Sequence, residues 1–251
     1  MKLLALETST DTMSLAVQHG DALFQHTSAG GAQASTTLIP AIEALMAQAG
    51  LQYAQLDGIA FGRGPGSFTG LRTACSVVQG LAFGANVKVL PVDTLLALAQ
   101  EARILASERG LDATRVLTAL DARMSEVYCD YYEWSNYDFY SSYRSSYSDE
   151  LLKKPQNLLE NVDSTPSLLA GNIRPALDAQ LSEQALSLPH MYCLPTARAL
   201  LQLAPALIAA GGLLDAEFAL PLYIRDKVAL TTLEREAQNV SREREAHNIK
   251  P

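Results

Sequence analysis

Residue types that build catalytic and metal sites are scarce in this sequence. Its 251 residues include 3 cysteines, 4 histidines and 1 tryptophan. The cysteines are far apart and lack C-x-x-C spacing, so we expect buried, reduced thiols rather than a redox or zinc site. No two histidines are four residues apart and H-E-x-x-H is absent. The composition therefore predicts no metal site.

Positive charge and long apolar runs are also limited. The chain has 19 Lys and Arg against 27 Asp and Glu, a net charge of −8, which argues against nucleic-acid binding by this chain alone. The most apolar later stretch, 196–214, contains Arg198 and Pro205, so we expect a buried or amphipathic helix rather than a membrane span. The apolar start ends at Glu7, too early for a signal peptide. We expect a cytoplasmic protein that does not associate with membranes.

Hydrophobic periodicity predicts an α/β chain. Strands and helices are expected to alternate after an initial group of three strands, which predicts a mixed sheet with helices packed on its faces. The predicted strands are 2–7, 13–18, 22–27, 58–62, 87–92, 117–121 and 126–131. The first predicted helix begins near Ser35 or Thr36 and ends at Gly50. Two further helices are predicted at 68–83 and 94–108.

One short pattern occurs twice. A strand, an acidic residue and a polar turn are found in LETS at 6–9 and again in LDAR at 120–123. We interpret this as a weak internal repeat. It predicts two lobes, 1–108 and 109–230, followed by a charged tail at 231–251.

The segment GRGPGSFTG at 62–70 raises the question of phosphate binding. A strand, a glycine-rich turn and a helix start can cradle an anion. However, no Lys follows its glycines, as a P-loop requires, and G-x-S-x-G fails on both sides of Ser67. The residues of interest in this loop are Gly62, Gly64, Gly66, Ser67, Thr69 and Gly70.

Tyrosine is concentrated in one segment. Seven of the ten tyrosines lie in 128–147. An exposed hairpin with half-buried tyrosines is the favoured interpretation. A partner surface remains the alternative, because tyrosine is enriched at interfaces.

Four segments together resemble the TsaB (YeaZ) family, which is related to the TsaD-like actin-type ATPases. They are LETST at 6–10, GRGPGSFTGLR at 62–72, DARMSEVY at 121–128 and PLYIR at 221–225. The resemblance runs from residue 1 to about 230, except for 134–165. It implies an α/β, two-lobed actin-like ATPase fold (ASKHA, ribonuclease H-like) of mixed sheets with flanking helices.

The resemblance also implies a function. Members of the family are non-catalytic subunits that pair with and activate TsaD, which transfers the threonylcarbamoyl group to N6 of adenosine 37 in tRNAs that read ANN codons. The ATPase TsaE joins this pair. The resemblance implies a homodimer when the subunit is isolated, contact with tRNA only through the complex, and no cofactor, metal or catalytic residue in this chain.

The two acidic turns match the phosphate-binding turns of the actin-like fold, and we interpret them as vestigial. Active members use glycine in the second turn, where this chain has long side chains that would obstruct a phosphate. The TsaD metal histidines have no counterpart in residues 33–40. We interpret the glycine-rich loop as an inherited scaffold element, with Ser67 or Thr69 capping the helix. The vestigial residues are Glu7, Thr8, Ser9, Thr10, Asp121 and Arg123.

Two helices are expected to pair with a partner, because the family pairs through them. Small residues on the second helix favour close helix approach. The predicted interface comprises Leu38, Ile42, Leu45, Leu71, Arg72, Ser76 and Gly80.

Two other functions stay open at this point. The first is an ATP-dependent kinase or carbamoyltransferase of the same fold, in which Glu7 and Asp121 would position Mg²⁺ and water. The second is a peptidase, for which the sequence offers no catalytic Ser-His or metal set.

Overall fold

The computed structural model describes residues 1–31, 34–134, 151–160, 162 and 164–225. They form two five-stranded mixed sheets with flanking helices, which confirms the predicted class. Most of the tyrosine-rich segment and the whole charged tail lie outside the described residues, so the predictions for them remain predictions.

The first sheet has the strand order β3-β2-β1-β4-β5. Strand β1 lies at its centre, antiparallel to β2 and parallel to β4. All five strands were predicted, within a few residues at each end. They are β1 (Lys2–Glu7), β2 (Thr12–His19), β3 (Ala22–Ala29), β4 (Gly58–Gly64) and β5 (Val89–Asp93).

Both faces of β1 are buried, against different helices. Leu4 and Leu6 belong to a core with α1 (Ala34–Ala49) and α2 (Phe68–Ala85). Leu3 and Ala5 point to the other face and join a core with α3 (Thr94–Arg109). Side chains alternate across a strand, so a strand covered on both faces is apolar at every position.

The second sheet repeats this plan with the order β10-β9-β6-β7-β8. Its central strand β6 is antiparallel to β7 and parallel to β9, as β1 is to β2 and β4. The internal repeat predicted from the acidic turns is therefore confirmed. The strands are β6 (Arg115–Asp121), β7 (Val127–Glu133), β8 (Leu152–Lys153), β9 (Leu168–Gly171) and β10 (His190–Met191).

The last helices complete the two halves. A short α4 (Glu183–Ser187) lies between β9 and β10, and α5 (Ala197–Ala209) corresponds to the predicted apolar helix. Within the described part of the chain, none of the helices has the length and apolarity that a bilayer crossing requires.

Helices α3 and α5 lie between the two sheets. One core cluster contains Leu90 of the first sheet, Leu168 of the second, and Leu200 of α5. The backbone N–H of Ala197 also donates to Ser14 Oγ on β2, over 3.0 Å. Although α5 falls inside the predicted second lobe, it packs against β1, β2, β4 and β5 of the first sheet.

Candidate functional site

A cleft of about 390 Å³ opens between the two lobes. One wall is the turn after β1 together with the start of α2, and the other wall is the turn after β6. Residues 222–225 line the cleft as well. The fold therefore brings together the two acidic turns and the glycine-rich loop, which the sequence places more than fifty residues apart.

The glycine-rich loop packs directly on the first acidic turn. A Cβ added at Gly66 would be 2.5 Å from the Ser9 carbonyl oxygen, and one at Gly70 would be 1.9 Å from that of Thr8. The Ser67 N–H donates to the Ser9 oxygen over 2.7 Å, and Thr8 Oγ1 donates to the Gly70 oxygen over 2.8 Å. These glycines permit close contact within the chain, a use of glycine that needs no phosphate.

The capping residue of α2 is Ser67. Its Oγ accepts the Gly70 N–H at 3.5 Å, whereas Thr69 is exposed one residue into the helix. Ser67 was one of the two capping residues considered from the sequence.

Glu7 is buried completely and lies beneath the loop. Its Oε1 accepts the Ser9 N–H over 2.7 Å, and a Cβ at Gly62 would be 1.9 Å from its Oε2. Burial raises the pKa of the Glu7 carboxyl, since a charge away from water is costly. Its carboxyl is not among the groups that line the cleft.

The second acidic turn has an unusual backbone. Arg123, Met124 and Ser125 have φ values of 63°, 56° and 56°, in the left-handed region that non-glycine residues rarely adopt. The Arg123 guanidinium is 3.4 Å from Asp121 Oδ2 and 3.3 Å from Asp11 Oδ2 of the opposite lobe. Its side chain thus lies across the cleft and bridges the two turns.

The predicted site residues fall into two groups. Ser9, Thr10, Asp121 and Arg123 line the cleft, together with Gly66, Ser67 and Thr69 of the glycine-rich loop. Glu7, Thr8, Gly62, Gly64 and Gly70 are buried and do not line it.

Part of the predicted interface needs correction. Leu38, Ile42 and Leu45 are at most 2% exposed and pack in the core of the first lobe, and Leu71, 1% exposed, lies at the cleft, so the chain itself covers these four side chains. Helical periodicity finds the apolar face of a helix, but that face covered the chain's own sheet. Arg72, Ser76 and Gly80 are exposed, as expected of surface positions.

Four residues that line the cleft or pair with a lining residue were not predicted as site residues. Asp11 pairs with Arg123, Glu126 pairs with Arg225, and Tyr223 stacks on the first lobe. Tyr223 and Arg225 stand in the PLYIR segment, which served only for the resemblance. No local pattern links them to partners that are about one hundred or more residues away.

Two sheets of the same strand order, joined by shared helices around a cleft, define a two-lobed actin-like α/β protein. A family model described as tRNA N6-adenosine threonylcarbamoyltransferase (TsaD) matches residues 25–231.

Individual relatives point to one branch of that family. The chain is 31% identical to the tRNA threonylcarbamoyladenosine biosynthesis protein TsaB of Escherichia coli K12, over 91% of this chain and 96% of that protein. It is 42% identical to TsaB of Haemophilus influenzae over 51% of this chain and 52% of that protein. The solved structure of YeaZ from Pseudomonas aeruginosa matches with a TM-score of 0.76 and 34% identity, covering 88% of this chain and 99% of that one. This chain belongs to the TsaB (YeaZ) proteins, within the TsaD family.

Proposed function

We propose that the chain is a non-catalytic subunit in tRNA threonylcarbamoyladenosine biosynthesis, which pairs with TsaD and activates it. TsaD then transfers the threonylcarbamoyl group to N6 of adenosine 37 in tRNAs reading ANN codons. The ATPase TsaE joins the pair in the cytoplasm, and tRNA is bound by the assembled complex. Membership in the TsaB family supports the pathway, since its relatives carry that description.

The exposed face of α2 is the observation that carries the proposal of pairing. A Cβ added at Gly80 or Gly84 would have nothing within 4 Å, so no contact inside the chain requires glycine there. Glycine inside a helix costs about 1 kcal/mol relative to alanine. Gly80 and Gly84 lie on one face of α2, and the close approach of a helix from another chain would explain why both are glycine.

Neighbouring residues support the same surface. Phe83 on α2 is 84% exposed, and a shallow groove beside it is lined by Tyr53, Gly80 and Gly84. An exposed aromatic next to small residues is typical of a helix-pairing surface. We propose that TsaD occupies this face in the complex and that a second copy of the chain occupies it in isolation.

The cleft supports the non-catalytic part of the proposal. Glu7 is buried outside it, and the Arg123 guanidinium lies within 3.4 Å of Asp121 and 3.3 Å of Asp11 across it. A cation already placed between the two turns disfavours the binding of Mg²⁺ there.

A reconstituted reaction tests both parts. We expect TsaD, TsaE, tRNA and threonylcarbamoyl-adenylate to give modified adenosine, measured by mass spectrometry, only when this chain is added. The Asp121→Asn variant should support normal modification. The Gly80→Leu variant should abolish it and should elute from a sizing column apart from TsaD, because the new side chain fills the approach surface.

The Ala209→Leu variant is the matched control. It places the same side chain on an exposed helical position of α5, away from the proposed interface, and should retain full modification. Normal pairing by Gly80→Leu would contradict the proposed interface. Loss of modification in Asp121→Asn, with pairing intact, would instead indicate chemistry in this chain.

A further inference from the structure

Residues 221–225, here called the strap, contact both lobes at once. On the first lobe, the Leu222 N–H donates to the Arg63 carbonyl oxygen over 2.7 Å. The ring of Tyr223 stacks on Phe68, with centroids 5.1 Å apart. The strap is therefore attached to the glycine-rich loop by a backbone hydrogen bond and to the start of α2 by an aromatic pair.

Arg72 of α2 strengthens this attachment. Its Nε donates to the Tyr223 hydroxyl over 2.8 Å, and its guanidinium carbon lies 3.7 Å from the centroid of the Phe68 ring. A cation over an aromatic face that also donates a hydrogen bond fixes the ring orientation. Gly64 contributes by the absence of a side chain, because a Cβ there would be 2.6 Å from the Leu222 oxygen.

On the second lobe, the strap is attached through Arg225. Its guanidinium forms an ion pair with Glu126, and the two side chains are 14% and 24% exposed. It also lies 3.5 Å from the carbonyl oxygen of Arg123, in the left-handed turn. A partly buried pair with hydrogen bonds is screened less by salt than a surface pair.

A second tie across the cleft is much weaker. The Arg123 and Asp11 side chains are 71% and 85% exposed, and their closest atoms are 3.3 Å apart. Pairs this exposed contribute little to stability. The strap is thus the better buried of these two connections.

We propose that the strap is a built-in latch that fixes the opening of the cleft without a bound ligand. A ligand that closes two lobes must contact both of them, and here residues 222–225 make those contacts. The two lobes then keep one relative position whether or not a nucleotide is present. The exposed face of α2, which belongs to the first lobe, is therefore fixed relative to the second lobe. This inference concerns the isolated chain and holds independently of the proposed pairing with TsaD.

Hydrogen exchange of the full chain, followed by mass spectrometry, tests the latch. In the Arg225→Gln variant, we expect amide exchange to rise about tenfold both in the turn 122–126 and in the loop 62–70, as loss of one charge-assisted hydrogen bond predicts. The Tyr223→Ala variant removes only the contact with the first lobe, yet it should raise exchange in the turn of the second lobe. Tyr223 is 43% exposed, so the fold should tolerate its loss.

The Lys154→Gln variant is the matched control. Lys154 Nζ lies 3.1 Å from Glu126 Oε1, so this variant removes the other cation on Glu126 while leaving the strap intact. It should affect exchange near Glu126 only. If Arg225→Gln behaves like this control, or if Tyr223→Ala leaves the far turn unchanged, the strap does not couple the lobes. Slower exchange of both segments on adding Mg²⁺-ATP to the wild-type chain would also overturn the latch, because closure would then depend on a ligand.

Discussion

Asp130 is a carboxyl on β7 whose environment opposes its charge. Burial and nearby Asp93 raise the pKa of its carboxyl, whereas hydrogen bonds from the Tyr131 N–H and from Tyr132, together with Lys153, lower it, and the net pKa is about 6. Because the pKa is higher in the folded chain than in the unfolded one, protonation favours folding. Stability from this group is full below about pH 4, the ordinary range of aspartate, and is lost as the pH rises through about 6.

We predict that Asp130→Asn stabilises the protein at neutral pH by at most about 3 kcal/mol, since the pKa rises from 3.8 to about 6 and one pKa unit corresponds to about 1.4 kcal/mol. The amide oxygen can still accept the Tyr131 N–H. The advantage should shrink as the pH falls from about 6 towards about 4. Thermal unfolding of both proteins across this range measures it. A difference that stays constant with pH would show that the charge of Asp130 is not its cause.

At the scale of single elements, the turn from Ala122 to Glu126 is the unusual one. Its ends are joined by a hydrogen bond from the Ala122 N–H to the Glu126 oxygen over 3.0 Å. Three consecutive residues between them have positive φ, and each such residue costs about 1 kcal/mol when it is not glycine.

We predict that Ser125→Gly raises the free energy of unfolding by about 0.5–1 kcal/mol, because glycine adopts φ of 56° without strain. The control is Ser107→Gly, an exposed helical position in α3, where the same exchange should lower stability by a similar amount. Denaturant unfolding distinguishes the signs. Equal losses in the two variants would refute the assignment of strain to the turn.

The sequence predicted elements well because each carries its own local signal. Alternation in 13–18 and helical spacing from Leu38 to Met46 are properties of short windows, and the structure confirms both elements. The left-handed turn carries no such signal, since Arg, Met and Ser are ordinary residues elsewhere. Its conformation is accompanied by contacts with Arg225, roughly one hundred residues away.

The whole molecule was predictable to the extent that it repeats itself. The acidic turns revealed two halves, and the resemblance supplied the arrangement of lobes. Neither could show that Leu38, Ile42 and Leu45 face inward, because an apolar stripe has the same spacing whether it covers a sheet or a partner. The strap was also out of reach, since its contacts depend on how the lobes are set against each other.

At this scale, the shared core predicts one cooperative unit. Leu200 of α5 is fully buried between the sheets, so Leu200→Ala should destabilise the chain by about 2–5 kcal/mol. Calorimetry should show a single unfolding transition in the wild-type chain and in the variant, and the variant's transition should lie at a lower temperature. Two transitions, with only one of them shifted, would mean that the lobes unfold separately.

The position of α5 also has a consequence for synthesis on the ribosome. All five strands of the first sheet have been synthesised once β5 has emerged. Helix α5, which packs on the face that carries Leu3 and Ala5, follows only at Ala197–Ala209. Domains generally fold as units in the order of their synthesis, N-terminal first. Helix α3 can cover the part of that face at β4 and β5 early, but the part at β1 and β2 must wait for α5, near the end of the chain. The first lobe to be made is therefore among the last to be finished.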